Sequence, residues 1–130
     1  MNELTFTVPG RPVPKARPRV TRRGTYTPKR SAAYEALVAR AAWCAGVSII
    51  TAPIRLMVLA RFKVAKSWPA KIREGRICGP HTQRPDGDNI LKAIKDALNG
   101  VAYADDALVW SATIEKIWDV DDGAEVTLRW

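Results

Sequence analysis

Asp86-Gly87-Asp88-Asn89-Ile90-Leu91-Lys92-Ala93-Ile94-Lys95-Asp96-Ala97-Leu98-Asn99-Gly100 is the stretch on which the fold turns. At about 100° per residue, Ile90, Leu91, Ile94, Ala97 and Leu98 share one apolar arc of about 120°, which predicts a helix over Asp88–Leu98. Asp88, Lys92 and Asp96 fall together on the opposite side, each one turn from the next. Asn99-Gly100 supplies a C-terminal stop. Asp105-Asp106 follows, and residues 107–118 then alternate as a strand. Asp121-Asp122-Gly123 predicts a hairpin turn, and Glu125–Trp130 a last strand with Val126, Leu128 and Trp130 on its apolar side.

Upstream, Glu3–Val8 alternates as a strand and Pro9-Gly10 ends it. Residues 11–30 carry Pro12, Pro14, Pro18, Gly24 and Pro28, which predicts a loop. Ser31 can cap a helix reaching about Ala45, with Tyr34, Leu37, Val38 and Ala41 as its buried stripe. Pro53 opens a long strand, Ile54–Val64, whose Ile54, Leu56, Val58, Ala60 and Phe62 face one way. Residues 65–85 are irregular and basic, with a short helical turn after Trp68-Pro69. The order is β-α-β-α-β-β: a single small α/β domain over residues 1–130, with two main helices on a mixed β-sheet.

The chain of 130 residues is long enough to bury a core without disulfide staples. No apolar run approaches a membrane span, and Met1-Asn2-Glu3 does not begin a signal peptide. Cys44 and Cys78 form no metal-type pair and read as reduced thiols of a cytoplasmic protein; His81 is alone, so zinc lacks ligands. The net charge of +8 is split unevenly. Residues 1–85 hold seventeen Lys/Arg and three acids, and residues 86–130 hold four Lys/Arg and ten acids. A basic half beside an acidic half points to a polyanion-binding surface next to a site that needs carboxylates. Clustered acids repel one another unless something such as a cation compensates.

Three groups can carry chemistry. In an extended segment Asp86 and Asp88 point to one side and make a hard oxygen site suited to magnesium; equally, Asp88 can cap the helix and Asp86-Gly87 turn the chain. Lys92 can pair with its helix neighbours, or hold its ammonium beside a metal-bound phosphate. Asp105-Asp106 can be a solvated turn, or the helix and strand can return Asp106 towards Asp86 and Asp88 to complete a site for one or two divalent ions. An EF-hand is excluded, because its third oxygen position falls on Ile90.

Arg84-Pro85-Asp86-Gly87-Asp88-Asn89-Ile90-Leu91-Lys92, with Asp96-Ala97-Leu98-Asn99-Gly100 and Asp105-Asp106, resembles the signature of the RusA-type Holliday junction resolvases. The run Val8-Pro9-Gly10-Arg11-Pro12-Val13-Pro14-Lys15-Ala16-Arg17-Pro18-Arg19, with Tyr26-Thr27-Pro28 and Tyr34-Glu35, resembles the phage and prophage branch of that family. Gly87 and Leu108 depart from the usual pattern, which has a larger apolar residue at the first and often a polar one at the second. The resemblance implies a homodimeric endodeoxyribonuclease that cuts branched, four-way DNA junctions with Mg2+, or with Mn2+ as substitute. It implies metal ligation by Asp86, Asp88 and Asp106 with Asp105 as a helper, and catalytic assistance from Lys92. The basic segment then acquires a role: Arg11, Lys15, Arg17, Arg19, Arg22, Arg23, Lys29 and Arg30 grip DNA phosphates. Two alternatives stand beside this reading: a flap- or fork-selective nuclease, and a non-catalytic nucleic-acid-binding module.

Overall fold

The computed structural model describes residues 1–26 and 28–130; Thr27, in the Tyr26-Thr27-Pro28 stretch, lies outside them. The elements run β1 (Glu3–Pro9), β2 (Arg19–Thr21), β3 (Gly24–Tyr26), α1 (Lys29–Cys44), β4 (Ile54–Lys63), α2 (Ala70–Arg76), α3 (Gly87–Leu98), β5 (Val109–Asp119) and β6 (Gly123–Arg129). A short 3-10 turn, Asp106–Leu108, leads into β5. Four strands form one mixed sheet in the order β1-β6-β4-β5, and β2 pairs only with β3. Strands β4 and β5 are parallel, whereas β6 is antiparallel to both β1 and β4.

Period-two alternation decides which face of the sheet is covered. On β4, Ile54, Leu56, Val58, Ala60 and Phe62 are all buried. Their neighbours in register, Val126 and Leu128 of β6, are buried with them. Helices α1 and α3 supply the facing layer through Tyr34, Val38 and Ala42, and through Ile90, Ile94 and Leu98. Burying each large aliphatic side chain contributes about 1.5–3 kcal/mol before entropy is counted. The other face mixes Met57 and Leu59 with polar residues joined in cross-strand pairs, among them Arg61–Glu125 at 2.7 Å and Thr5–Thr127 at 3.0 Å.

Three sequence expectations change. The turn at Asp121-Asp122-Gly123 is not a hairpin: β5 and β6 are separated by β4, so the connection passes over the end of β4. There the Lys63 amide donates to Asp122 Oδ1 at 2.8 Å, and the Val64 amide to the Asp119 carbonyl at 3.0 Å. The turn residues fit the local bend, but strand pairing is set by the parallel docking of β5 on β4. Residues 11–30 are not wholly a loop, because β2 and β3 form a short hairpin from Arg19 to Tyr26. Ser31 does not cap α1: the helix starts two residues earlier behind Pro28, and the buried Ser31 Oγ accepts from the Ala16 amide at 3.3 Å. The basic segment offered the serine a partner that a local reading cannot see.

Candidate active site

The start of α3 carries the first two acids. Asp86 occupies the N-cap position in extended conformation (φ −70°, ψ 140°), and the helix begins at Gly87. Because Asp88 is already helical, the one-sided alternation of an extended Asp86–Asp88 segment does not apply; the helix start itself brings both carboxylates to one end. No side chain caps the helix by hydrogen bonding. Both exposed carboxylates are thus left free of the capping role, at the helix end whose dipole favours negative charge. Gly87 permits this docking: a Cβ there would lie 3.2 Å from Ile114 Cγ2 and 4.0 Å from Lys116 Cδ on β5.

The second acidic pair divides its labour. Asp105 is the N-cap of the 3-10 turn, and its Oδ1 accepts from the Ala107 amide at 2.9 Å. Asp106 follows it, half-buried and without an ion pair among the described residues. Its charge acts on the buried Tyr103, whose hydroxyl is pushed above the ordinary tyrosine range by burial first, then by Asp106 and Asp96. Among the described residues, no three His, Cys, Asp or Glu side chains gather into a group that could hold a metal ion. The donor chemistry of Asp86, Asp88 and Asp106 still fits a hard cation, since every donor is oxygen. Magnesium is commonly held by one or two carboxylates, waters and substrate phosphates rather than by a closed protein cage.

Of these acids Asp86 lines a cleft of about 430 Å³, together with Arg11, Pro12, Pro14, Arg30, Arg84, Pro85 and Asn89. The cleft exists because residues 11–18 are strapped across the helices. The Lys15 amide donates to the Asn89 carbonyl at 2.8 Å, and Pro12 is fully buried. Arg30 enters from the first turn of α1, and the Arg11 guanidinium lies 5.0 Å over the Phe62 ring. Arg84 and Asn89 share the lining; in the sequence both lie within the Arg84–Lys92 motif, with no local sign of a role of their own.

The eight basic residues of the 11–30 segment separate into two kinds. Arg11, Arg17, Arg19, Arg22, Arg23, Lys29 and Arg30 are exposed and make no ion pair among the described residues. Lys15 departs from the expected DNA-binding set: its Nζ lies 3.0 Å from Glu35 Oε1 of α1 and 3.3 Å from Asp96 Oδ2 of α3, and its side chain is 15% exposed. Burial opposes its charge, but hydrogen bonds to Glu35 and Asp96 outweigh that and raise its pKa above the ordinary 10.5. Lys92, one turn after Asp88, points its ammonium the other way, 3.7 Å from Asp96 Oδ2, with the side chain 63% exposed. So long and exposed a pair is weak and exchanges readily for another anion.

Residues 9–129 match the family described as endodeoxyribonuclease RusA. The chain is also 32% identical over 145 residues to the uncharacterized protein YqaN of Bacillus subtilis (strain 168), a match spanning 99% of this chain and 97% of that one. With the match running from the end of β1 to the end of β6, the chain belongs to the RusA family and is an endodeoxyribonuclease.

Proposed function

We propose that this nuclease resolves four-way DNA junctions as a homodimer, using magnesium to hydrolyse paired phosphodiesters. The observation that carries the reading is the cleft, whose lining Asp86 of the family signature shares with Arg11, Arg30 and Arg84. Asp86, Asp88 and Asp106 would hold the ion, with Asp105 as a helper through its second oxygen. When bound, the ion supplies Lewis-acid charge at the phosphoryl group. The three cleft arginines bind the phosphate and fix its orientation, because a guanidinium matches phosphate geometry with two parallel hydrogen bonds. Lys92 exchanges Asp96 for the scissile phosphate and offsets the negative charge that develops there. Arg17, Arg19, Arg22 and Arg23 of the strap and hairpin, with Lys29, follow the backbone away from the cut.

A four-way junction has two-fold symmetry, so paired cuts call for paired sites. Trp43 and Trp110, 75% and 61% exposed, are large apolar groups that one copy of the chain leaves in water. No helix is long and apolar enough to cross a membrane. The two exposed, unbridged thiols, Cys44 and Cys78, suit the reducing cytoplasm. Family membership removes the non-catalytic alternative. The test is cleavage, in Mg2+, of a synthetic four-way junction beside a fork, a flap and a linear duplex. Symmetric paired nicks in the junction arms are expected; preferential cutting of the fork or flap would overturn junction resolution while leaving the nuclease intact.

A further inference from the structure

Lys116 stands where the pattern of β5 calls for an apolar residue. Its register partner on β4 is Ala60, between the pairs Val58–Ile114 and Phe62–Trp118. Lys116 therefore lies in the row that faces the helices, and none of its partners is a carboxylate among the described residues. Its Nζ donates instead to two backbone carbonyls, Gln83 and Pro85, each at 2.7 Å. Its own carbonyl accepts from the His81 amide at 2.9 Å, and its Cδ would lie 4.0 Å from a Cβ added at Gly87. One side chain and its backbone thus hold residues 81–85 at three points, and Asp86 follows the last of them directly.

We propose that Lys116 is a positioning residue for the metal site, holding the Asp86 carboxylate at the start of α3; this rests on the metal-site reading above. The competing explanation is that an inward lysine on an edge strand only blunts the edge against pairing with another chain. That protection is already present here. Residues 78–81 cover the outer edge of β5 at this level, through Cys78 N to Trp118 O at 2.8 Å and Trp118 N to Gly79 O at 2.9 Å. The half-buried Lys116 side chain, on an aromatic- and aliphatic-rich row, is held by two backbone carbonyls rather than left to extend into water. Two carbonyls fixed by one cation, one of them on the residue preceding Asp86, set the approach of the chain into the site. A neutral side chain cannot bind both as strongly.

The test compares Lys116→Met, which keeps the stem and removes the ammonium, with Lys116→Arg, which keeps the cation. Mn2+ binding is measured by titration calorimetry, alongside the Mg2+ concentration for half-maximal junction cleavage and junction binding in chelator. Loss of a residue that orients a metal ligand weakens metal binding by about 10–100-fold. Lys116→Met should show a loss in that range in both metal readouts, with junction binding in chelator unchanged and Lys116→Arg recovering most of it. Equal Mn2+ affinity in wild type and Lys116→Met would overturn the positioning role alone. Absence of any Mn2+ binding that Asp86→Asn removes would instead overturn the metal site, and Lys116 with it. If Lys116→Met does not fold, Lys116→Gln, whose shorter amide reaches at most one carbonyl, carries the same comparison.

Discussion

Residues 11–30 and residues 86–106 carry opposite charge and meet along α3, yet they are built differently. The acidic stretch is fastened to regular structure: Asp86 and Asp88 to the first turn of α3, and Asp106 to the turn that enters β5. The basic stretch begins as a strap lying across α1 and α3 and continues as an exposed hairpin in which Val20 is 81% exposed. Geometry-sensitive chemistry belongs on the first, because misplacing a reacting group by about an ångström is costly. Attraction of a polyanion needs only charge within a Debye length, about 8 Å at physiological salt, and tolerates a mobile support. Each variant below attacks one side of that division.

Asp88→Asn has the largest expected effect. The amide keeps the shape but loses the charge that would hold magnesium, which contributes several kcal/mol of charge stabilisation. With about 1.4 kcal/mol per tenfold, junction cleavage should fall by about a thousandfold or more while junction affinity stays within about threefold. Single-turnover cleavage and a gel-shift titration read the two quantities; cleavage at the wild-type rate would remove Asp88 from the metal site. Asp86→Asn and Asp106→Asn should behave alike. Asp105 differs in having an observed structural duty, its bond to the Ala107 amide.

Lys92→Ala comes next. Removing one donor aimed at developing charge costs about 10²–10³-fold in rate. Lys92 is exposed and paired only weakly with Asp96, so stability should barely change. A mutant with full cleavage rate and reduced affinity would move Lys92 to the basic side of the division, as an ordinary phosphate contact.

These two variants test what was most legible in the sequence. The amphipathic period of α3 was readable because its apolar arc faces a single layer; the structure adds Ala93 to the buried set and leaves Leu91 half-buried. The alternation of β4 gave its inner face residue by residue. What local reading missed was long-range pairing. Nothing near Asp121 reports that β4 lies between β5 and β6. The duties of Ser31 and Lys116 likewise depend on segments fifteen and thirty-one residues away. Arg84 and Asn89 were in view as parts of a motif, but only the folded strap brings them into one cleft with Arg11 and Arg30.

The quadruple change of Arg17, Arg19, Arg22 and Arg23 to Ala probes the exposed half of the basic stretch. Each neutralised phosphate contributes about −0.9 to the slope of log affinity against log salt, so the slope should flatten by about 3.6 if all four touch DNA. Linear and branched DNA should weaken together, since phosphate contacts carry little sequence information. An unchanged slope would leave the hairpin in solvent and move the grip to Lys63, Lys66, Lys71, Arg73 and Arg76.

Lys15→Met supplies the smallest effect and the sharpest test of where the division runs. By position Lys15 belongs to the basic stretch, but by contact it belongs to the scaffold. It bridges Glu35 of α1 and Asp96 of α3, and its backbone amide holds the Asn89 carbonyl. The substitution keeps the stem and leaves two half-buried carboxylates without their shared cation. Hydrogen bonds to charged groups are worth about 1.5–3 kcal/mol, so a loss of about 2 kcal/mol and a melting temperature lower by several degrees are expected. The salt slope of DNA binding should not move, because this ammonium never faced phosphate. The pH dependence has a definite sign. Folding raises the pKa of Lys15, so its contribution is complete below the unfolded value of 10.5 and is lost as pH rises through the higher folded value. The stability gap between wild type and Lys15→Met should therefore be full at pH 9 and close only in stronger alkali. A slope that flattens by about 0.9 with no change in melting temperature would return Lys15 to the DNA-binding set, and the strap would then be fastened by its backbone bonds to Asn89 and Ser31 without help from the ammonium.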